Sequence, residues 1–402
     1  MPIHRDRVLT LSQISTEFDR PMKLLQNWRR AGLLGEPLEG LSGETCFALK
    51  RFAMFIPELA AELRTIQTSA RPRVASLFSG CGGLDLGFRK AGFELAYAND
   101  LFMEAAWSYA ENIGPIDARS IYDVPTKSVR NIDVLLAGFP CQPFSNAGSR
   151  RGVSDPRGTL FWETLRFVEH LKPKVLLFEN VKGILSMHNP DGERLIDAIS
   201  RELQNRGYLV SYALLNASEF GVPQNRQRVV VVAVRRGRGV QVFDFSSIKR
   251  AQGKTIGEVI GDIPKQLTNN SHWPLSPQSK SLLRYIPEGG SWKSVPYSKL
   301  PLRLQKIRDN MERYHSPNFY RRFSRDEIMG TVTAAATPEN SGIIHPTESR
   351  RYTVREIARF QTFPDTFEFH GRGIASHYRQ IGNAVPPELA RRIGIAIKNA
   401  YF

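Results

Sequence analysis

Cysteine is scarce, with Cys46, Cys81 and Cys141 the only three in 402 residues. An odd number without a C-x-x-C spacing excludes a disulfide framework and offers no zinc-ligand pattern, so no metal is expected and a reducing cytoplasm is the default setting. Long apolar runs are missing too. None approaches the roughly 18 residues of a spanning helix, and the opening Met-Pro-Ile-His-Arg-Asp-Arg carries no export-type apolar stretch, so no membrane association is expected. Low-complexity tracts and internal repeats are absent, and 41% hydrophobic with 10% aromatic residues is the composition of a chain that buries a core. Acidic residues fall short: 39 Asp and Glu face 55 Lys and Arg, a net charge of +16. That excess suits a polyanionic partner, and it speaks of binding, not of chemistry.

Residues 1–70 read as a helical N-terminal extension. Leu11, Ile14 and Phe18 keep a helical spacing, Asp19-Arg20-Pro21 follows as a break and cap, and a second short helix carries Leu24, Leu25 and Trp28 toward Gly32. With Arg29 and Arg30 at its end, the pair is compatible with a helix-turn-helix DNA reader and equally with a small helical cap. Residues 71–235 change character. Val74 to Phe78 reads as a buried strand running into a glycine-rich turn and a helix from Leu84 to Ala91. Leu95 to Ala98, Val134 to Ala137, Val175 to Phe178 and Val229 to Val234 are further apolar runs, which predicts an α/β domain with a mostly parallel sheet and helices on both faces. Over 236–375 the alternation fades into a smaller domain of irregular build, rich in Pro, Ser, Lys, Arg and Trp. Residues 376–402, ending in a helix from Pro387 to Ala400, are expected to complete the first domain.

The polar residues at the strand ends carry the chemistry. Phe78-Ser-Gly80-Cys-Gly82-Gly83 lies between strand and helix, where small residues let a cofactor approach the backbone. Asp100, at the tip of the next strand, is placed for ribose hydroxyls, so the two together indicate a nucleoside cofactor. Gly138-Phe-Pro140-Cys141-Gln-Pro143 follows a strand at the ligand-binding edge, and its two prolines fit a core position poorly. Cys81 reads as a backbone-supporting residue of the turn instead of a nucleophile. Glu179 ends another strand on the same edge. Arg226 and Arg228 alternate before Val229, which points both to one side if the extended backbone starts early.

The order F-x-G-x-G-G, G-F-P-C-Q-P-F-S, E-N-V, Q-x-R-x-R, then R-E-x-A-R-x-Q-x-F-P and Q-I-G-N-A-V-P-P resembles the DNA (cytosine-5)-methyltransferases, over about Arg73 to Val234 and Gly330 to Phe402. The resemblance implies a Rossmann-like S-adenosylmethionine-dependent methyltransferase fold and a target-recognition domain over 236–375. It makes Cys141 the nucleophile at cytosine C6, and places Glu179 at ring N3 and the exocyclic amine, Arg226 at O2 and Arg228 beside the cysteine loop. It assigns Phe78, Gly80, Gly82, Gly83, Asp100, Pro140 and Asn383 to S-adenosyl-L-methionine. Where the family commonly has an acidic residue at the adenine amine this chain has Ser120, so either its hydroxyl or Ile121 alone serves there. Gly330-Thr331-Val332-Thr333 falls where the family often has a threonine-containing strand, and Arg355, Glu356, Arg359 and Gln361 read as a structural network. The expected partner is double-stranded DNA, with the target base flipped from the helix and a restriction endonuclease as a compatible companion; a monomer is expected. Two alternatives stay open: a transfer RNA cytosine-5 methyltransferase of the same fold, and a DNA-binding regulator acting through the N-terminal helices.

Overall fold

The computed structural model describes residues 8–30, 34, 38–39, 45–56, 59, 71–139, 160–189, 191–310, 319–334 and 342–402. Cys141 and Pro140 lie outside them. The chain divides into two compact units, one of Met1–Leu215, Arg228–Ile248 and Ala390–Phe402, the other of Asn216–Gln227 and Lys249–Leu389. Among the described residues no helix is long and apolar enough to cross a membrane.

The first unit begins with β1 (Val8–Leu9), α1 (Leu11–Glu17), α2 (Met22–Arg30), β2 (Leu38–Glu39), β3 (Thr45–Ala48) and α3 (Leu49–Phe52). The two expected helices are present, but three antiparallel strands in the order β1-β3-β2 accompany them, so the helical extension is a mixed one. Strands of two to four residues are too short to show an alternating pattern. Thr10 caps α1 with a capping box to Gln13.

A six-stranded sheet follows, built from β4 (Arg73–Leu77), β5 (Glu94–Asn99), β6 (Val134–Ala137), β7 (Val175–Val181), β8 (Tyr208–Asn216) and β9 (Gln227–Arg235) in the order β5-β4-β6-β7-β9-β8. β4 pairs in parallel with β5 and β6, and β6 with β7, whereas β9 runs antiparallel to β7. Helices α4 (Gly83–Lys90), α5 (Met103–Asn112), α6 (Leu160–Leu171) and α7 (Leu195–Asn205) lie between the strands in sequence. The inner strands are covered on both faces, which is why β6 and most of β7 are buried without alternation. Leu135, Leu176 and Val231 from the strands share one core with Phe161 and Leu165 of α6 and Ile196 and Ile199 of α7. Each such side chain contributes roughly 1.5–3 kcal/mol through burial.

This layout positions a site. In a parallel sheet the carboxyl ends of all strands fall on one edge, so Phe78, Asp100, Gly138 and Glu179 come to the same side. Because β9 is antiparallel, it is its start that reaches that edge, with Arg228 in register with Val181.

The second unit holds short helices: α8 (Ile256–Ile260), α9 (Pro277–Leu283), α10 (Leu302–Asp309), α11 (Val354–Phe360) and α12 (Ile374–Asn383). Its core gathers Leu282, Leu283, Ile286, Trp292, Leu304, Phe319 and Ile344. Arg355, fully buried, donates to the carbonyls of Thr268, Pro364 and Phe367, Glu356 pairs with Arg350, and Arg359 pairs with Asp365. Gly330 to Thr333 form no strand: a single bridge joins Met329 to Gln224, and the Gln224 side chain accepts from the Val332 N–H at 2.9 Å in place of a partner strand. The helix α13 (Pro387–Tyr401) ends the chain.

Candidate active site

The turn after β4 is held in an unusual conformation. Phe78, Gly80 and Gly82 all have positive φ, at 58°, 56° and 89°. At Gly82 the glycine is needed for space, since a Cβ would stand 2.1 Å from Ile113 Cδ1 and 2.7 Å from Tyr109 Cδ2. At Gly80 a Cβ would meet nothing within 4 Å, so the backbone there faces open space. Gly83 opens α4 and is buried.

Asp100 braces this turn. Its Oδ2 accepts from the Gly80 N–H and its Oδ1 from the Phe102 N–H, both at 2.7 Å. Desolvation raises the Asp100 carboxyl above its ordinary range, against the pull of those two N–H groups. Each carboxylate oxygen keeps a further lone pair able to accept from a hydroxyl. Leu101, which sequence reasoning passed over, follows with 65% of its surface exposed, an apolar side chain in the open beside this acid. An open glycine turn, a braced carboxylate and an uncovered apolar neighbour together fit a nucleoside-bearing cofactor.

Beneath the turn lies Asp85, which was not legible in the sequence. It is fully buried in α4 and accepts from Ser76 Oγ and Tyr109 OH at 2.9 Å each, and burial pushes its carboxyl up to about 6 despite those bonds. Burial likewise drives the Cys81 thiol far above its ordinary value, so Cys81 stays protonated and unreactive.

Ser120 precedes a short 3-10 turn, Ile121–Asp123, and is half-buried. Ile121 belongs to the main core. The backbone leading to both is held by Asn99, whose Nδ2 donates to the Asp117 and Arg119 carbonyls, and by the Asp117–Arg119 ion pair at 2.6 Å.

Gly138 and Phe139 follow β6 and precede Pro140 and Cys141 in the chain. A Cβ at Gly138 would lie 3.9 Å from both Glu179 Oε2 and the Phe78 carbonyl, so Gly138 passes between the ends of β7 and β4. Asn180 Nδ2 donates to the Phe139 carbonyl at 3.1 Å and fixes that exit. Glu179 Oε1 meets Arg228 Nε at 2.9 Å, and each side chain is only 12% exposed.

Arg226 takes other partners. It is 1% exposed, and its two terminal nitrogens donate to the carbonyls of Val332, Gly382 and Ala384 at 2.8–3.0 Å, all within the second unit. Gln361 Nε2 adds bonds to Ile381 and Ala384, and Gln361 Oε1 accepts from Gln224. The early start of the extended backbone on which the two-residue alternation depended is not found: β9 starts at Gln227, so Arg228 lies in the strand and Arg226 precedes it. Asn383, exposed, is the last residue of α12. Gly382 beside it is strictly required, since a Cβ would stand 2.4 Å from the Thr333 carbonyl carbon.

A mostly parallel sheet that gathers a glycine turn, a second-strand acid and a buried Glu–Arg pair at one edge defines the Rossmann-like methyltransferase class. The chain matches the model of the C-5 cytosine-specific DNA methylases over residues 72–399, and it belongs to that family. It is an enzyme, a DNA (cytosine-5-)-methyltransferase; S-adenosylmethionine is the general methyl donor of the family. It is 38% identical over 354 residues to the type II methyltransferase M.NgoFVII of Neisseria gonorrhoeae, covering 83% of this chain and 90% of that one. The type II methyltransferase M.PspPI of Psychrobacter sp. is 34% identical over 86% of this chain and 83% of its own. Among solved structures, the S. pombe Dnmt2 methyltransferase superposes with a TM-score of 0.55 at 20% identity, covering 83% of this chain and all of that one, which speaks for the fold.

Proposed function

We propose that the chain methylates C5 of a cytosine flipped out of duplex DNA, with Cys141 as nucleophile and the Glu179–Arg228 pair as the group that holds and polarises the base. The observation that carries this is the placement of that buried pair beside Gly138, three residues before Cys141 in the chain. The Cys141 thiolate adds to C6, forming an Sγ–C6 bond and moving electron density to C5. Glu179 shares a proton with ring N3 and accepts from the exocyclic amine, which also selects cytosine. Arg228, in place of Arg226, donates to O2 and stabilises the charge developing on the ring. When bound, S-adenosylmethionine would supply the electrophilic methyl group to C5, its sulfonium leaving as the neutral thioether of S-adenosylhomocysteine. Loss of the C5 proton to water and breaking of the Sγ–C6 bond then release 5-methylcytosine and Cys141.

Phe78, Gly80, Gly82 and Gly83 would present backbone to the cofactor and Asp100 would accept from its ribose. Leu101, Ile121 and Pro140 would border the adenine, Ser120 would offer its hydroxyl to the adenine amine, and Asn383 would serve the methionine end. The second unit would read the neighbouring bases, a role its exposed Trp273 and Tyr297 suit. The relatives named type II methyltransferases support a place in restriction and modification; a companion endonuclease and action as a monomer complete the proposed reading.

Transfer of labelled methyl groups to mixed-sequence duplex DNA, single-stranded DNA and transfer RNA, followed by base-resolution mapping, tests the reading. Label in one short duplex context is expected. Label confined to RNA would overturn the DNA assignment.

A further inference from the structure

The N-terminal module is not used by the methyl-transfer chemistry, yet it is folded around a core of its own. Leu9, Ile14, Leu25, Phe47, Phe52 and Ile56 share that core, and Trp28 stacks on Phe55 at 4.4 Å. α1 packs on α2 through a tight turn in which Asp19 takes a φ of 47° and Ser15 Oγ donates to the Arg20 carbonyl at 2.6 Å. The antiparallel strands β2 and β3 follow α2 and complete a sheet with β1. A first helix bracing a second, backed by a small sheet, is the arrangement that presents a helix to a DNA groove.

α2 is mostly exposed, Leu24 and Arg29 included. Leu25 is buried and Met22 and Trp28 are half-buried on one side, whereas Lys23, Gln26, Asn27 and Arg30 are all exposed. Those four fall at i, i+3, i+4 and i+7, one stripe of a helix. The stripe holds two cations, two amides and no carboxylate, and no acidic residue occurs anywhere in α2. An ordinary solvated face would mix both signs. Gln and Asn side chains match the N6 and N7 edge of adenine, Arg and Lys match O6 and N7 of guanine, and the major groove admits one α-helix. Arg30 is already oriented by its bond to Asn27 Oδ1 at 3.1 Å.

We infer that α2 is a second DNA-reading element, which inserts its Lys23–Gln26–Asn27–Arg30 stripe into the major groove of duplex DNA and reads base pairs other than those of the methylated target. α3 anchors the module on the same unit as the cofactor turn. Arg51 pairs with Glu111 at 2.8 Å, and the Met54 carbonyl accepts from the Ala118 N–H.

The test uses the full chain and a triple variant, Gln26→Ala, Asn27→Ala and Arg30→Ala, in which only exposed side chains are shortened. Each protein selects binders from a random-sequence duplex pool, and unfolding curves confirm equal stability. Wild type is expected to enrich base preferences beyond the methylated sequence. The variant is expected to lose those preferences and to bind the selected duplex at least about tenfold more weakly, the scale of one lost bidentate base contact. Both are expected to methylate a short duplex carrying only the target at the same rate. Identical selected sequences and affinities for the two proteins would overturn the inference. So would a loss of methylation on the short duplex in step with binding, since α2 would then belong to target recognition itself.

Discussion

Arg228 Nε stands 2.9 Å from Glu179 Oε1, and both side chains are almost out of water. Breaking such a pair from one side leaves a buried charge without its counterpart, at a cost of about 3–5 kcal/mol. Arg228→Ala is therefore expected to lower unfolding stability by that order and methyl transfer by at least about 100-fold, the scale of one lost charge-stabilising donor. The double variant Glu179→Ala with Arg228→Ala should be more stable than Arg228→Ala alone, although equally inactive. Chemical denaturation beside a labelled-methyl assay checks both statements, and strictly additive stability losses would contradict the pairing.

Arg226 should behave differently. Its guanidinium donates to three carbonyls; Arg226→Ala strands those of Val332 and Gly382, while Ala384 keeps its bond from Gln361, and is expected to cost at least about 2 kcal/mol, roughly 1 kcal/mol or more for each unsatisfied group. The conservative Arg226→Lys should lower the melting temperature while the turnover of the folded fraction stays close to wild type. A collapse of turnover at unchanged stability would return Arg226 to the reaction.

Two glycines separate space from conformation. Gly382→Ala drives a Cβ to 2.4–2.5 Å from the Thr333 and Ala334 backbone, which cannot move aside as a side chain could. Destabilisation of about 3 kcal/mol or more is expected, at the upper end of overpacking. Gly80→Ala meets no atom within 4 Å, so it should cost only about 1–2 kcal/mol for its left-handed backbone. The same variant should weaken S-adenosylmethionine binding strongly, which titration calorimetry would register.

Asp85 predicts a pH dependence. Its folded carboxyl titrates at about 6 against an ordinary value of 3.8. The folded state thus binds the proton more tightly, and this contribution to stability is fully present below about 3.8 and is lost as pH rises through about 6. The gap corresponds to ~3 kcal/mol. Asp85→Asn keeps partners for Ser76 and Tyr109 without the charge, so the stability of wild type relative to this variant should rise as pH falls from 6 to 4. Parallel stability curves for the two proteins would contradict it.

What could be read in the sequence followed burial. β6 and β7 lie inside the sheet and show as unbroken apolar runs, and Glu179 was visible because it ends such a run. β8, at the sheet edge, alternates irregularly between covered and open residues, from Tyr208 to Asn216, and left no signal. The antiparallel direction of β9 was also hidden, since an apolar run carries no polarity. The separate fates of Arg226 and Arg228 depended on where β9 starts, and Asp85 depended on Ser76 and Tyr109, neither of which is adjacent to it in the chain.

The proposed chemistry makes Cys141, three residues after Gly138 in the chain, the nucleophile, with the Glu179–Arg228 pair holding the base. The most direct measurement is labelled methyl transfer to duplex DNA by Cys141→Ala, with S-adenosylmethionine binding measured on the same preparation. Incorporation is expected to disappear while cofactor binding is unchanged. Retained incorporation with that variant would contradict the proposed chemistry.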